Sequence, residues 1–331
     1  MAKASGHPAT SHARKGWAHL DLGIVVAWKA LTKPLLIEDL GGDISRLLHR
    51  SNRFELLPGV DYLSVGDTLE ATSRITSLAV QPKGKLVEIT ATLRSADAIV
   101  MNVISEFFIR GQFSDQDRSF RDSSDAERTL TVDSPKIKAL LLSRSWFKLD
   151  DENQNLAGTI LSFKTHSTSK GKSDSARLEV TGTVSDISRK GTVSPVGTVK
   201  FSHESCSGNP VLEFLDRYGS ISRAMKPVDQ PGWNDDGPLM VQVRNLGPEY
   251  SALSTDHNPI HVNSVFAGFA GLTSPIIHGM YTSAIVRNAI EQRYGETSHA
   301  RFRRWSTSFE EPVHGGDVLR IEVQHLSLIH I

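Results

Sequence analysis

An aspartate and a histidine on either side of a proline carry the clearest chemical signal in this chain. Asp256 and His261 flank the dipeptide Asn258-Pro259. Because proline disfavours helical backbone at the residue before it, the chain should turn at Asn258 and direct the carboxylate and the imidazole toward one point. A carboxyl group and an imidazole held close together can donate and accept protons near neutral pH. The spacing therefore predicts an acid–base site.

A second feature lies where a loop leads directly into a segment of small and apolar residues. Residues 274–280 read SPIIHGM, and the pattern predicts a helix over Gly279–Tyr294. The first amides of a helix lack intrahelical partners and carry partial positive charge, so the Gly279 amide could bind a carbonyl oxygen that gains negative charge. A glycine there would also let a ligand approach the backbone closely.

The same residues do not match the common metal or phosphate motifs. His257 and His261 have the spacing of a zinc HExxH motif, but HNPIH lacks its glutamate and contains a proline. Asp256 begins a D-x-N pattern, yet Ala267 stands where a calcium loop requires glutamate. Gly171-Lys172-Ser173 lacks the earlier glycine of a phosphate-binding loop. We therefore predict no metal at this site.

Composition excludes several functional classes. The 331 residues contain 37 Lys+Arg and 37 Asp+Glu, which gives a formal charge of zero and no basic excess of the kind expected for nucleic-acid binding. No uncharged apolar stretch approaches the ~20 residues that cross a bilayer, and Met1–Lys15 lacks the apolar core of a signal peptide. A single cysteine, Cys206, cannot form an internal disulfide. We expect a soluble, cytoplasmic, multidomain protein without nucleic-acid or membrane partners.

The hydrophobic pattern predicts an α+β protein built from helix-and-sheet segments. Residues 21–31, DLGIVVAWKAL, are apolar on nearly every side, which is typical of a buried helix. Strand-like runs follow at residues 67–80, 85–94 and 98–110. Together they predict a first segment, residues 16–113, in which an antiparallel sheet wraps around a helix and which carries no catalytic motif.

The middle of the chain predicts a second segment with a degenerate sheet. Residues 114–128 are charged and serine-rich, and residues 226–238 contain three prolines and two glycines, so both predict connections. Alternating runs between them predict a decorated, hot-dog-like segment at residues 129–225. Within it, residues 165–175, THSTSKGKSDS, predict a polar hairpin tip.

A third segment, residues 239–325, repeats the plan of the first. It contains the predicted helix Gly279–Tyr294, followed by strand patterns at residues 300–309 and 317–325. A helix wrapped by an antiparallel sheet and repeated in tandem is called a hot-dog fold. We expect the last repeat to be incomplete at its C-terminus, and we interpret residues 326–331, LSLIHI, as a non-native tail.

A repeated Gly-Asp motif supports this internal repeat. Gly66-Asp67 and Gly316-Asp317 each stand at the entry to a strand, at a matched distance from the start of a predicted helix. Glycine supplies the unusual backbone angle of such a turn, and aspartate supplies its side-chain hydrogen bond.

The segment around Asp256 resembles the signature of MaoC-like dehydratases and R-specific enoyl hydratases, an aromatic residue followed by D-x-N-P-[LIV]-H, five residues and a small one. The matching residues are Asp256, Asn258, Pro259, Ile260, His261 and Ala267. Residues 277–280, IHGM, resemble the later glycine-bearing turn of these proteins. Thr255 departs from the pattern, since glycine is common there, and Arg287 replaces a serine that some members present to the aspartate.

A wider resemblance covers about residues 16–325 and is to the dehydratase region of the fungal-type fatty acid synthase beta subunit. It is carried by residues 16–23 (GWAHLDLG), 28–31 (WKAL), 145–147 (SWF) and 207–211 (SGNPV). In that family, tandem hot-dog units form the dehydratase and the last unit bears the catalytic pair. The order of the segments in this chain agrees with that plan.

The resemblance implies a hydro-lyase that removes water from a (3R)-hydroxyacyl thioester on acyl carrier protein and yields the trans-2-enoyl thioester. His261 would accept the C2 proton, Asp256 would orient the base or protonate the departing hydroxyl, and the Gly279 amide would bind the thioester oxygen. No cofactor is expected, because an elimination moves no net electrons, and the expected partners include the other domains of a synthase complex. The residues predicted to contact substrate are Asn258, Pro259, His278 and Met280.

Two other functions fit the same pattern. One is a non-catalytic hot-dog module that binds acyl chains or scaffolds a complex, and the retention of Asp256 and His261 argues against it. The other is an R-specific enoyl-CoA hydratase of a tandem hot-dog protein, against which the three-segment length argues. The cationic run Arg301–Trp305 is either a contact for an acidic carrier protein or an edge strand facing water, and the second interpretation is favoured.

Overall fold

The structure is a computed structural model that describes residues 18–41, 46–60, 63–64, 66–115, 118–125, 127–171, 176–188, 192–221, 237–294 and 302–323. These residues form two compact units. The first contains the described parts of residues 1–75, 82–112 and 233–325, and the second contains those of residues 76–81 and 113–232. The first and third predicted segments thus share most of one compact unit. The predicted tail, residues 326–331, lies outside the described residues.

The N-terminal half of the first unit is an antiparallel sheet with a helix packed on it. Strand β4 (Ala98–Arg110) pairs with both β1 (Leu47–Leu56) and β3 (Gly84–Ser95), and helix α1 (Gly23–Thr32) contacts β3 and β4. Helix α1 buries Ile24, Ala27, Trp28 and Leu31. This arrangement confirms the predicted α+β class and the hot-dog plan. The elements are α1 (Gly23–Thr32), β1 (Leu47–Leu56), β2 (Glu70–Gln81), β3 (Gly84–Ser95) and β4 (Ala98–Arg110); of β2, only residues 70–75 belong to this unit.

The C-terminal half of the first unit supplies the remaining helices and one further strand for the same sheet. Strand β13 (Arg304–Ser308) pairs antiparallel with β1, so that Phe54 faces Trp305 and Ser51 faces Ser308. Helix α6 (Gly279–Tyr294) packs on this strand, where the Trp305 Nε1–H donates to Ser283 Oγ at 2.8 Å. The elements are β12 (Leu239–Gln242), α4 (Gly247–Ser254), α5 (Ser264–Phe269), α6 (Gly279–Tyr294), β13 (Arg304–Ser308) and β14 (Val318–Ile321).

Several predicted boundaries are confirmed and others shift. The strand Ala98–Arg110 and the helix Gly279–Tyr294 have the predicted bounds. The strand predicted from residue 300 begins at Arg304, and residues 300–301 lie outside the described part of the chain. Strand β13 is the edge strand of the sheet order β13-β1-β4-β3-β2, and Arg304 pairs with Glu55 on β1 at 3.0 Å. This agrees with the edge-strand interpretation of the cationic run.

The two Gly-Asp turns have the same geometry. The Ser64 amide donates to the Asp67 carboxylate at 2.8 Å, and the His314 amide donates to the Asp317 carboxylate at the same distance. The preceding glycines, Gly66 and Gly316, have φ values of 103° and 98°, which glycine adopts without strain. The repeated Gly-Asp motif in the sequence therefore corresponds to a repeated turn.

The second compact unit contains antiparallel strands in the order β5 (Phe120–Ser124), β8 (Ile160–Lys170), β9 (Ala176–Asp186), β10 (Ser194–Cys206) and β7 (Phe147–Leu149). Strand β6 (Arg128–Thr131) pairs with β8 and with β11 (Ser220–Ile221). Its core contains Leu130, Phe163, Val180 and Val199. Helices α2 and α3 begin at Ser134 and Asn209 caps. The elements are β5 (Phe120–Ser124), β6 (Arg128–Thr131), α2 (Pro135–Leu142), β7 (Phe147–Leu149), β8 (Ile160–Lys170), β9 (Ala176–Asp186), β10 (Ser194–Cys206), α3 (Pro210–Tyr218) and β11 (Ser220–Ile221).

Two predictions for this unit were wrong in detail. Residues 114–128 are not only a linker, because they contain β5. Strand β8 continues to Lys170, so residues 165–170 belong to a strand and not to a hairpin tip. The reason is that Thr165 and Ser167 are buried with a partner, since both hydroxyls donate to the Asp125 carboxylate, at 2.8 and 2.6 Å. Polar residues can therefore face inward in this strand.

Among the described helices, none combines the length and the apolar character that a membrane crossing requires.

Candidate active site

The turn that carries Asp256 is built by the end of helix α4. The helix ends at Thr255, which has left-handed backbone angles (φ 60°, ψ 15°) that glycine adopts at lower cost. The chain then extends, and Asn258 has non-helical angles, as Pro259 predicts. The Asn258 side-chain oxygen accepts from the Ile260 amide at 3.3 Å and caps the 3₁₀ turn Pro259–His261. Asn258 is thus the residue that shapes the turn.

His261 is held in one tautomer by the backbone. Its Nδ1 lies 2.9 Å from the carbonyl oxygen of Ile276. Because a carbonyl can only accept, Nδ1 carries the hydrogen and Nε2 keeps a lone pair. Burial disfavours the imidazolium form and lowers the pKa of His261 to about 4, although the bond to Ile276 acts in the opposite direction. His261 is therefore neutral at physiological pH, as a general base must be.

The carboxyl group of Asp256 lies close to this imidazole and has the opposite pKa shift. Ligand atoms of Asp256, His261 and His278 all lie within 4.8 Å of one another. Burial raises the pKa of Asp256 to about 6, while the hydrogen bond from the Asn258 amide and the nearby His257 lower it. When the pair binds one proton, that proton therefore resides on the carboxyl group of Asp256, and the imidazole of His261 stays neutral. Such opposed shifts are typical of acid–base pairs.

Gly279 is the first residue of helix α6, so its amide belongs to the helix end whose N–H groups have no intrahelical acceptor. Gly279 lines the cavity beside Asp256 and His261. A Cβ atom at this position would lie 2.9 Å from ring carbons of Phe309. Close packing of Phe309 is therefore one reason for glycine here, in addition to the predicted approach of a ligand.

A cavity of about 680 Å³ opens next to these three residues. Of the residues predicted to contact substrate, Asn258, Pro259 and Met280 line it. Its walls come from both halves of the first unit, and most of the lining side chains are apolar or aromatic. From the N-terminal half they include Trp28, Leu35, Leu36, Leu47, Leu48, His49 and Phe107, and from the C-terminal half Ile260, Ile277, Val286, Trp305, Phe309 and Val313.

His278 differs from its predicted role as a substrate contact. It is 1% exposed and is not among the residues that line the cavity. Its ring instead stacks on His261, with centroids 3.8 Å apart. Its Nε2 lies 3.2 Å from the backbone oxygen of Asp256 and donates to it. His278 packs against His261 instead of lining the cavity, because the extended turn at Asp256 places a carbonyl oxygen within reach of its imidazole.

His49 is a site residue that the sequence analysis missed. It lies on β1, lines the cavity and stacks on Phe107, with centroids 4.8 Å apart. Phe309 meets the His49 ring edge-on at 5.3 Å. Burial lowers the pKa of His49 to about 4, and His261 adds to that effect. No local pattern marks His49, because its partners are brought to it only by the tertiary fold.

Arg287 does not take the place of a serine facing Asp256. It is buried, and its guanidinium pairs with Asp21 at 3.0 Å and with Glu291 at 2.5 Å. The pair with Asp21 joins helix α6 to the 3₁₀ turn Leu20–Leu22 that precedes α1, whereas Glu291 lies in α6 itself. Arg287 therefore connects the two halves of the first unit.

Asp256, His261 and His278 are residue types that also bind metals. A zinc ion would need their ligand atoms about 2.0–2.2 Å from a common centre. The rings of His261 and His278 are stacked nearly parallel, with centroids 3.8 Å apart and an interplanar angle of 24°, an arrangement that does not favour convergence of their in-plane lone pairs on one centre. The geometry favours an acid–base pair, and the absence of a metal requirement stays a prediction.

Three family models match the chain in sequence order. The model described as "FAS1-like, dehydratase domain region" matches residues 4–103, "Fatty acid synthase subunit beta, insertion domain" matches residues 120–215, and "MaoC like domain" matches residues 247–330. The chain is 42% identical to the fatty acid synthase beta subunit hexB of Dothistroma septosporum over 95% of its own length. The chain belongs to the dehydratase region of the fungal fatty acid synthase beta-subunit family. The predicted resemblance is thereby confirmed.

The family relationship concerns one part of much longer proteins. The chain spans 17% of the Dothistroma relative. It is 33% identical to the fatty acid synthase subunit beta of Saccharomyces cerevisiae, over 95% of this chain and 15% of that protein. The insertion-domain match falls within the second compact unit, and the MaoC-like match contains Asp256, His261 and Gly279.

The solved structures that the chain matches include HtdX from Mycobacterium tuberculosis, at 15% identity and a TM-score of 0.48, covering 96% of this chain and 80% of that one. Full-length peroxisomal multifunctional enzyme type 2 from Drosophila melanogaster matches 92% of this chain and 40% of its own, at 15% identity and a TM-score of 0.43.

Proposed function

We propose that this chain is a (3R)-hydroxyacyl-thioester dehydratase that acts on substrates carried by acyl carrier protein. The observation that supports the proposal most directly is the pairing of Asp256 with His261, whose pKa values are shifted in opposite directions beside an apolar cavity. Membership of the synthase family supports the substrate class, because the relatives are named as fatty acid synthase beta subunits.

In this mechanism, each of the three groups has one task. Nε2 of His261 accepts the proton from C2 of the acyl chain, and the electrons of that bond form the C2–C3 double bond. The carboxyl group of Asp256 donates its proton to the C3 hydroxyl, which leaves as water when the C3–O bond breaks. The Gly279 amide binds the thioester oxygen while it carries enolate charge. The proton on His261 then returns to Asp256 through solvent, and no electrons are transferred to a cofactor.

The cavity fits the rest of such a substrate. Its lining is mainly apolar and aromatic, which favours an acyl chain over a polar metabolite. The polar residues of the wall include Asp256, His257 and His261, and Gly279 lines the same cavity. A long apolar chain can therefore be held while its thioester and first carbons lie beside the acid and the base.

The test is turnover of crotonyl thioesters to 3-hydroxybutyryl thioesters, the reverse reaction, together with dehydration of the (3R)-hydroxybutyryl thioester. We expect Asp256→Asn and His261→Ala each to lower kcat/KM by about 10²–10⁴-fold, since each removes a proton-transfer group. The exposed residues Asp97 and His203 provide matched controls, Asp97→Asn and His203→Ala, which should retain wild-type rates.

Two outcomes would contradict the proposal. If neither active-site variant lost more than about tenfold, acid–base catalysis by this pair would be wrong. If the wild-type chain bound acyl thioesters without turnover, the non-catalytic acyl-binding function would replace it. Comparing thioesters of coenzyme A and of acyl carrier protein decides between the hydratase and the carrier-protein dehydratase.

A further inference from the structure

His278 lies at the junction of the three groups to which the proposed mechanism assigns chemistry. Its ring stacks on the base, His261, with centroids 3.8 Å apart and an interplanar angle of 24°. Its Nε2–H donates to the backbone oxygen of Asp256 at 3.2 Å. Its own carbonyl carbon is bonded to the nitrogen of Gly279. One buried side chain and its peptide bond thus link the base, the turn that carries the acid, and the amide.

The surroundings of His278 keep it out of the reaction itself. The side chain is 1% exposed and does not line the cavity. Tyr250 packs against it, with ring centroids 5.0 Å apart. Because Nε2 donates to a carbonyl, Nδ1 carries the lone pair, and this buried atom has no hydrogen-bond partner among the described residues. Burial, with the neighbouring His261, lowers the pKa of His278 to about 3, so the ring is neutral.

We propose that His278 is a positioning residue that fixes the relative geometry of His261, Asp256 and Gly279. The proposal rests on the proposed function and deepens it. The Nδ1–H of His261 is already bonded to Ile276, which restrains the ring within its plane. Stacking on His278 restrains the ring against tilting out of that plane, so Nε2 points in one direction. The hydrogen bond to the Asp256 carbonyl holds the turn at a fixed distance from the same ring.

Other titratable groups surround the pair and stay unchanged in the test. They are His49 on β1, Tyr250 on α4, Asp256 and His257 in the turn, and Glu310 and Glu311 elsewhere on the cavity wall. A change in the titration of His261 that follows substitution of His278 can therefore be attributed to His278.

Two substitutions separate the two contacts. His278→Phe keeps a flat ring for stacking but loses the donor, whereas His278→Gln keeps a donor but loses the ring. His203→Gln, at an exposed histidine of the second unit, is the matched control. The readouts are kcat and KM for crotonyl-thioester hydration, the pKa of His261 from imidazole NMR titration, and the melting temperature of each variant.

We expect both His278 variants to lower kcat by on the order of 10²-fold with little change in KM, because reacting groups misplaced by about 1 Å lose that much rate. In His278→Gln, water should reach the uncovered face of His261, and the pKa of His261 should rise from about 4 toward its ordinary value. In His278→Phe, that face stays covered and the pKa should stay low. The control should match the wild type in all three readouts.

The proposal is overturned if both variants keep wild-type kcat. It is also overturned if both lose kcat and melting temperature while the titration of His261 is the same in each, since that pattern describes a structural residue only. An inactive wild type would contradict the proposed function instead, and the NMR comparison would still decide whether His278 positions His261.

Discussion

At the scale of single residues, the opposed pKa shifts of Asp256 and His261 predict a pH dependence for the proposed dehydration. The reaction needs the carboxyl group protonated, which holds below about pH 6, and the imidazole neutral, which holds above about pH 4. We expect kcat/KM for dehydration to be bell-shaped and to fall about tenfold per pH unit outside that range. Stopped assays of the (3R)-hydroxybutyryl thioester from pH 3.5 to 8 would measure it.

The control for this profile is Asp256→Asn, whose residual activity should lose the alkaline limb because an amide does not titrate in this range. A wild-type profile that is flat between pH 5 and 8 would contradict the assignment of Asp256 as the acid. A variant that keeps the alkaline limb would contradict it as well.

The sequence was sufficient to predict that the side chains of Asp256 and His261 lie close together, but not what surrounds them. Asp256, Asn258, Pro259 and His261 act through local geometry, because a proline, a capping side chain and a short spacing determine the turn. The role of His278 was not predictable in the same way. Its stacking depends on how the turn folds back over the start of α6, which residue types alone do not specify.

At the scale of the elements, the end of helix α4 contains a strained residue. Thr255 has a φ of 60°, and its β-branched side chain is poorly suited to that conformation. Its hydroxyl is buried and has no hydrogen-bond partner among the described residues. We expect Thr255→Gly to raise the free energy of unfolding by about 1 kcal/mol, because a non-glycine residue in the left-handed region costs roughly 1–3 kcal/mol. Urea unfolding of the variant and the wild type would measure this difference.

A matched control lies in the same helix. Ala252 is exposed in the body of α4, and Ala252→Gly should lower the free energy of unfolding by about 1 kcal/mol, since glycine is a poor helix former. Equal destabilisation by both substitutions would show that Thr255 is not strained.

The bounds of a helix or strand were predicted correctly where a single sequence pattern dominated the segment. The β-branched and aromatic residues of β4 and the small and apolar residues of α6 predicted both elements with their observed bounds. Strand β8 was mispredicted because Thr165 and Ser167 are polar and yet face inward. Their partner, Asp125, lies far enough along the chain that only the folded sheet brings it within hydrogen-bond distance.

At the scale of the whole molecule, the candidate site depends on two stretches of chain that are distant in sequence. The segment predicted to be non-catalytic supplies Trp28, His49 and Phe107 to the cavity wall. The buried pair of Asp21 with Arg287 joins the same two stretches. A cavity shared by the two stretches could not be predicted from the sequence of either one, because tertiary packing determines which residues line it.

The buried, neutral histidines of this cavity also make the stability of the molecule depend on pH. Burial lowers the pKa values of His49 and His261 to about 4 and that of His278 to about 3, from an ordinary value of 6.5. Below pH 6.5 the unfolded chain therefore binds these protons more tightly than the folded chain does, so their contribution to stability falls as the pH falls. Asp256 acts in the opposite direction between about pH 6 and 4, because its folded pKa is raised.

Between about pH 4 and 6, unfolding takes up about three protons at the histidines and releases about one at Asp256. This net uptake of about two protons changes the free energy of unfolding by about 3 kcal/mol per pH unit. His278→Gln removes one histidine from the balance, and the rise that it should cause in the pKa of His261 adds to this effect. The stability of the variant should therefore fall less steeply than that of the wild type, by at least about 1.4 kcal/mol per pH unit. Urea unfolding at intervals from pH 4.5 to 6 measures both slopes, with His203→Gln expected to follow the wild type. Parallel curves for His278→Gln and the wild type would mean that His278 is not buried in its neutral form, and the stack on which its positioning role depends would lose its support.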